Sequence, residues 1–324
     1  MLSISKAISW SAIEKYSSQI IQFFIAVLLA RILEPNDYGI LAMVMVVINI
    51  LSIVNETGLG ASLLQKLDRD ILDESSVFYL NIFIGLLLYI FIFFISDNNE
   101  IFFSSSNLSD FIRVASLNII INSLIIVPRV KLWINIDFKT QTKITLPAIL
   151  ISGIIALTLA YLGYGIWALI IQLLLANIIS LALTWTYVKW KPTLTFSIER
   201  IKPLFIFAYR LILARLINTI FNQSYSIIIG KYFSSPDLGF YNRAESIKTI
   251  SSNTITGFIQ RVSTPILCEL QENHKEMRKT LLKFIVCTAH IVFPLMFLIF
   301  VLSDSLIIIL LTEKWLKSSI ILKI

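Results

Sequence analysis

Between Leu80 and Ile95 the chain reads LNIFIGLLLYIFIFFI, without one formal charge. In hydrocarbon such a stretch has one way to satisfy its backbone N–H and C=O groups, which is to hydrogen-bond them internally as a helix. IIQFFIAVLLA and IVFPLMFLIFVL repeat the constraint, and with their neighbours each is long enough to cross roughly 30 Å of hydrocarbon. Charged residues make up 15% of the chain and mean hydropathy is +0.83, whereas soluble domains carry about 25% charged residues. The expected class is an all-α polytopic membrane protein. The first apolar run is too long for a cleaved signal peptide and no A-x-A-like site follows it.

Apolar runs of about 18 to 25 residues predict spans over 8–30, 39–64, 77–96, 109–127, 145–162, 164–188, 204–229, 239–267 and 282–302, with a tenth beginning at SSIILKI. Loop charges orient them. With the N-terminus cytoplasmic, the inner segments hold Lys6; Lys66 and Arg69; Arg129, Lys131, Lys139 and Lys143; Lys189, Lys191, Arg200 and Lys202; and Lys275, Arg278, Lys279 and Lys283. The outer segments hold Arg31, Lys231, Lys314 and Lys317, and the polar outer loop over 97–108 has no base. That asymmetry predicts a cytoplasmic N-terminus. It also accounts for most of the +7 net charge as topology and lipid-headgroup contact rather than a nucleic-acid footprint.

ARILEPNDYG runs from Ala30 to Gly39, and GKYFSSPDLG from Gly230 to Gly239. Six predicted spans separate the copies, so both lie on one face of the membrane. A parallel repeat related by an axis along the membrane normal is expected, as in transporters built of two similar halves. Each part has a local reason. Arg31 or Lys231 can snorkel at the headgroups, Pro35 or Pro236 enforces the turn, Asp37 or Asp237 can cap the next helix, and Gly39 or Gly239 allows close backbone approach. The expected organisation is a six-helix transmembrane lobe over 1–200. A partial second lobe follows over 201–324, with about three complete helices and the start of a fourth.

The same register aligns Lys15 with Arg215, Ser18 with Asn218 and Gln22 with Asn222. Their i, i+3, i+7 spacing forms one stripe of a helix, and on the seventh span it extends to Ser226. Seven bases fall within predicted spans: Lys15, Arg113, Arg210, Arg215, Arg243, Lys248 and Arg261. Arg113 and Arg210 are near span ends. The other five would cost on the order of 12–18 kcal/mol facing lipid, so a water-filled cavity or an ion partner is expected. Glu14, Glu56 and Glu245 are the acids within reach, and they are too few to neutralise the bases. A cavity with surplus cations suits an anionic cargo, best a phosphate that guanidinium groups can grip bidentately. The other reading gives these bases helix C-termini as partners.

Other chemistries find no footing. Cys268, Cys287, His274 and His290 form no framework or ligand cluster, and no GxxxxGK[ST] or Ser/His/Asp arrangement occurs. Asp68-Arg69-Asp70 resembles the acid-x-acid element of sugar-nucleotide transferases but sits in a short loop without a domain to hold a nucleotide, and reads as a solvated charged loop. No cofactor and no metal are expected, and the chain is not read as an enzyme.

LLARILEPNDYGIL followed by NETGLGASLLQK resembles the opening two spans of the bacterial polysaccharide repeat-unit flippases (the Wzx type). YNRAESI, RVSTPILCELQEN and LLTEKW resemble later segments of that family, in order, over essentially the whole chain. The resemblance implies the multidrug/oligosaccharidyl-lipid/polysaccharide exporter superfamily, with two six-helix lobes around a central cavity. The implied task is translocation of an undecaprenyl-diphosphate-linked oligosaccharide, an O-antigen or exopolysaccharide/capsule repeat unit, across the bacterial inner membrane by alternating access. Lys15, Arg215, Arg243, Lys248 and Arg261 are then the candidates for diphosphate or acidic-sugar contacts. Gln22, Asn218, Asn222 and Gln223 are candidates for sugar hydroxyls, and Glu14 and Glu56 for ion coupling. The implied partners are the lipid-linked oligosaccharide and membrane lipids, with a polysaccharide polymerase and a chain-length regulator as candidates. Residues 201–324 are short for a complete second lobe, which leaves a fragment, an interrupted gene or a non-functional remnant open. The alternatives are a drug/cation antiporter of the same superfamily, which would want cavity carboxylates, and a polysaccharide polymerase or ligase, which would want a large catalytic outer loop.

Overall fold

The computed structural model describes residues 4–56, 58–66, 68–96, 108–269 and 273–324. The outer loop expected over 97–108 therefore lies almost wholly outside the described residues. So do the side chains of Glu56, Arg261 and Cys268, although their backbone is helical. Among the described residues the regular structure is helical: α1 (Ile4–Ile32), α2 (Pro35–Glu56), α3 (Leu59–Gln65), α4 (Ile71–Ile95), α5 (Leu108–Ile134), α6 (Phe138–Tyr161), α7 (Ile166–Tyr187), α8 (Ile198–Tyr232), α9 (Ser235–Glu269), α10 (His274–Leu311) and α11 (Lys317–Leu322). Among the described residues, eight segments are long and apolar enough to cross a membrane. The protein is multi-pass.

α9 occupies the place of the eighth expected span but is not one of those eight. It carries Arg243, Glu245, Lys248 and Arg261 among Ser, Thr and Asn, and that polarity suits a helix turned toward a polar interior rather than toward lipid. Several helices outrun their apolar cores. α5 continues through Pro128 to Ile134, and α10 extends beyond both ends of the expected 282–302. Helical hydrogen bonds are local, so a helix ends at a cap rather than where hydrophobicity falls. Asp137, for instance, starts α6 by accepting from Thr140 N at 3.0 Å.

α1 lies along α6, α4 along α5, α5 along α7, and α2 is central, meeting α5, α8 and α9. Ala42, Met43, Val44, Ile119 and Ile170 form a core that also receives Leu238 from α9. Beside it Asn55 Nδ2 donates to Ile119 O at 2.9 Å, and in a neighbouring cluster Trp185 Nε1 donates to Leu124 O at 3.2 Å.

The two motif copies lie at one end of the molecule. At the other, Asp70 caps α4 reciprocally with Asp73: Asp70 Oδ1 accepts from Asp73 N at 2.8 Å and Asp73 Oδ2 from Asp70 N at 3.1 Å. Lys66 pairs with Asp73 at 2.6 Å and Lys131 with Glu74 at 2.7 Å. The acid-x-acid element Asp68-Arg69-Asp70 thus has a structural task, to start a helix. The Asp73 amide, helped by the Arg200 guanidinium, holds the Asp70 carboxyl below the usual carboxylate range.

Candidate functional site

The site begins with what the repeated motif does. In both copies the aspartate at the third helical position accepts a hydrogen bond from the cap residue's own amide, Glu34 N to Asp37 Oδ2 at 3.1 Å and Ser234 N to Asp237 Oδ2 at 3.3 Å. Matched caps launch α2 and α9 in matched ways, and the two helices then cross. A Cβ on Gly39 would collide with the Ser235 carbonyl oxygen, and a Cβ on Gly239 with the Pro35 carbonyl oxygen. These two contacts exchange under the two-hundred-residue offset, so the helices touch backbone to backbone through equivalent residues. Small residues permit that approach where apolar burial gives helices no preference for one another over lipid.

A second set of contacts holds the same end. Arg31, at the close of α1, donates from Nε to Leu310 O at 3.0 Å and from Nη2 to Ile309 O at 2.5 Å, the last carbonyls of α10. Those carbonyls lack intrahelical partners and carry the negative end of the helix dipole, so a guanidinium suits them. Lys314 Nζ returns a bond to Arg31 O at 3.0 Å, and Trp315, fully buried, donates from Nε1 to Ala30 O at 2.8 Å. LLARILEP and LLTEKW, nearly the whole chain apart, are thus bolted together.

Beneath the crossing, α2, α8 and α9 part around a half-open cavity of about 420 Å³. α2 contributes Tyr38, Met45 and Asn49, α8 contributes Asn222, Gln223 and Ser226, and α9 contributes Tyr241, Asn242, Glu245, Ser246 and Thr249. Glu245 is half-exposed and salt-bridged to Lys248 Nζ at 2.6 Å, with Thr249 Oγ1 donating to its other oxygen at 3.3 Å. Arg243 turns behind the wall. Its guanidinium lies 3.8 Å from the Tyr38 ring centroid and 5.8 Å from that of Trp315, an arrangement in which the ring quadrupoles hold the charge.

The sequence-nominated residues are divided by the fold. Lys15 and Gln22 line a separate open pocket of about 360 Å³ on α1 together with Glu14, Ser18 and Thr145. There Glu14 and Thr145 share the wall with Lys15. Arg215 and Asn218 are exposed on α8. Asn222 and Gln223 are in the α2/α8/α9 cavity. Lys248 is bound to Glu245, and Arg243 to aromatic faces. On the α9 wall sequence reasoning named Glu245 but missed Asn242, Ser246 and Thr249. Asn242, Glu245, Ser246 and Thr249 have i, i+3, i+4, i+7 spacing, one polar stripe that periodicity alone exposes.

The helical arrangement is one that solved membrane proteins share. The fold matches a multidrug resistance MATE family transporter of the MOP superfamily in an inward-facing conformation, with TM-score 0.69 and 16% identity over 98% of this chain and 78% of that one. It also matches the lipid II flippase MurJ, inward closed, with TM-score 0.72 and 17% identity over 98% of this chain and 71% of that one. The chain belongs to the polysaccharide biosynthesis protein family, whose pattern covers residues 28–320. Its relatives include the succinoglycan biosynthesis transport protein ExoT of Rhizobium meliloti, 23% identical over 96% of this chain and 63% of that protein. The teichuronic acid biosynthesis protein TuaB of Bacillus subtilis is 27% identical over 100% and 68%. The lipopolysaccharide biosynthesis protein WzxC of Escherichia coli is 21% identical over 89% and 59%. The chain spans about two thirds or less of the length of these relatives. ExoT is a transport protein, and the two solved proteins that share the fold are a transporter and a flippase.

Proposed function

We propose that this protein translocates an undecaprenyl-diphosphate-linked oligosaccharide across the bacterial inner membrane by alternating access, with its N-terminus in the cytoplasm. The observation that carries the reading is the polar cavity between α2, α8 and α9 under a symmetric crossing, in a chain of the polysaccharide biosynthesis family. Residues 1–200 form the first lobe and 201–324 part of the second. The motif end is the periplasmic side. Fifteen cytoplasmic-side bases against four on the other support that orientation.

Lys15 and Arg215 face the diphosphate, with Arg261 as a further contact and Gln22 and Asn218 beside them for the first sugar. Lys248 and Arg243 act close to the sugar end, although each already has a partner inside the protein. Glu14, in a pocket with Lys15 and next to Thr145, is the stronger of the two coupling candidates, since a carboxyl reached by both cargo and solvent can exchange a proton or cation as the cargo moves. Glu56 is the weaker. A polymerase and a chain-length regulator would act on the delivered repeat unit.

The test is complementation of a deletion strain. Lys15→Gln together with Arg215→Gln should leave the protein in the membrane, abolish surface polymer and trap lipid-linked repeat units on the cytoplasmic leaflet. Wild-type export by that double variant would overturn the reading.

A further inference from the structure

The cavity beneath the crossing differs in chemistry from the Lys15 pocket. At 1.5 Å per helical residue, Lys15 lies about 24 Å below Arg31 while Tyr241 lies about 9 Å below the start of α9. The cavity is thus nearer the motif end by on the order of 15 Å. Its volume of about 420 Å³ falls within the range of about 300–1,000 Å³ that holds small ligands.

Among the described residues its polar lining is amide and hydroxyl with one charged side chain, Glu245, which is paired with Lys248 at 2.6 Å. Tyr241 presents a ring to the cavity and is backed by Tyr225, with centroids 6.2 Å apart and planes at 30°. Tyr38 is 7% exposed and lines the same space, its ring held from behind by the Arg243 guanidinium at 3.8 Å.

We propose that this cavity is a subsite for an uncharged pyranose ring and that Glu245 makes it discriminate against uronic acids. Resting on the flippase reading, this adds what the sugar end of the cargo must be. The Tyr241 face takes the C–H side of the ring, because the negative face of an aromatic ring attracts polarised C–H groups. Asn242, Asn222 and Gln223 exchange donor and acceptor bonds with ring hydroxyls, each amide offering both roles. A carboxylate on the sugar would meet the Glu245 carboxylate, and Lys248 is already taken by Glu245.

The test uses the full chain in nanodiscs, with saturation-transfer difference NMR on two probes, cellobiose and cellobiouronic acid. Cellobiose should show saturation of its carbon-bound ring protons, with the acid at least tenfold weaker. Tyr241→Ala should abolish the cellobiose signal while Tyr241→Phe, which keeps the ring, retains it. Glu245→Gln should raise the acid to within threefold of cellobiose. Equal binding of both sugars to the wild type, or cellobiose binding indifferent to Tyr241→Ala, overturns the subsite. A vesicle assay with a fluorescent polyprenyl-diphosphate disaccharide separates the two claims. Sugar binding without translocation refutes the flippase reading alone, and translocation without Tyr241-dependent sugar binding refutes the subsite alone.

Discussion

Replacing Gly39 with alanine should force α2 and α9 apart at the motif end. The added Cβ would lie closer than 3.0 Å to the Ser235 carbonyl, nearer than Cβ atoms come to anything in real proteins. Its neighbour is backbone and cannot swing aside, so the helices themselves must move. Opening a seam by on the order of 0.5–1 Å forfeits about a quarter to a half of each dispersion contact across it, and overpacking of this kind costs about 1–3 kcal/mol. Charged against the closed motif end, that is a roughly 5- to 150-fold shift toward the open arrangement. Gly239→Ala should do the same, since its Cβ would strike the Pro35 carbonyl in the symmetry-equivalent contact. One displacement relieves both clashes, so the double variant should cost clearly less than the sum of the singles. Spin labels at Asn36 and Tyr232, both exposed, report the separation in nanodiscs by pulsed electron resonance, and thermal unfolding reports the energy. A longer-distance population in each single variant, with sub-additive destabilisation in the double, is expected. Unchanged distances, or strictly additive losses, would refute the shared-crossing argument.

Other perturbations test the surrounding contacts. Trp315→Ala removes a fully buried indole and should destabilise the protein by about 3–5 kcal/mol, whereas Trp315→Phe loses chiefly the bond to Ala30 O and should cost about 0.5–1.5 kcal/mol; unfolding curves in detergent separate the two. Arg31→Lys should loosen the motif end nearly as much as Arg31→Gln, because an ammonium cannot reach two successive carbonyls as a guanidinium fork does; solvent exchange at α10's final amides would expose any difference. Asp70, with its carboxyl held below the usual range in the folded state, contributes stability above its unfolded pKa and loses it as pH falls through the folded value. Asp70→Asn should therefore lower the melting temperature at neutral pH and have little effect in acid, and an equal loss at both pH values would contradict the cap.

The membrane class, the helix succession and the parallel repeat were readable because each is written in local pattern: apolar run length, the order of small residue, base, turn and Asp-x-Gly, and a constant offset. That Gly39 and Gly239 would touch across a symmetry axis was not readable, because backbone contact between helices leaves no periodicity. The stripe of Lys15 and Gln22 was legible and does line one pocket with Glu14, yet nothing in its spacing said that Asn222 and Gln223 would face a different space with α9. Helix faces are set by rotation about each axis, which packing decides. Arg243 marks the same boundary. A base in mid-helix signals a non-lipid environment from sequence alone, but only the fold reveals that Tyr38 and Trp315, from opposite ends of the chain, supply it.

The repeat is most informative where its copies disagree. Both keep the aspartate that caps and the glycine that crosses, because both helices begin in the same way and meet each other. They differ at the base, Arg31 in one copy and Lys231 in the other. Arg31 reaches the final carbonyls of α10 with two nitrogens of one planar group, a geometry that an ammonium cannot reproduce. Lys231 is exposed, its ammonium 5.9 Å from the Tyr232 ring, where a flexible point charge suffices. Among the described residues the two copies thus keep equivalent helix starts and part company at the base, where Arg31 clasps the end of α10 and Lys231 lies at the surface.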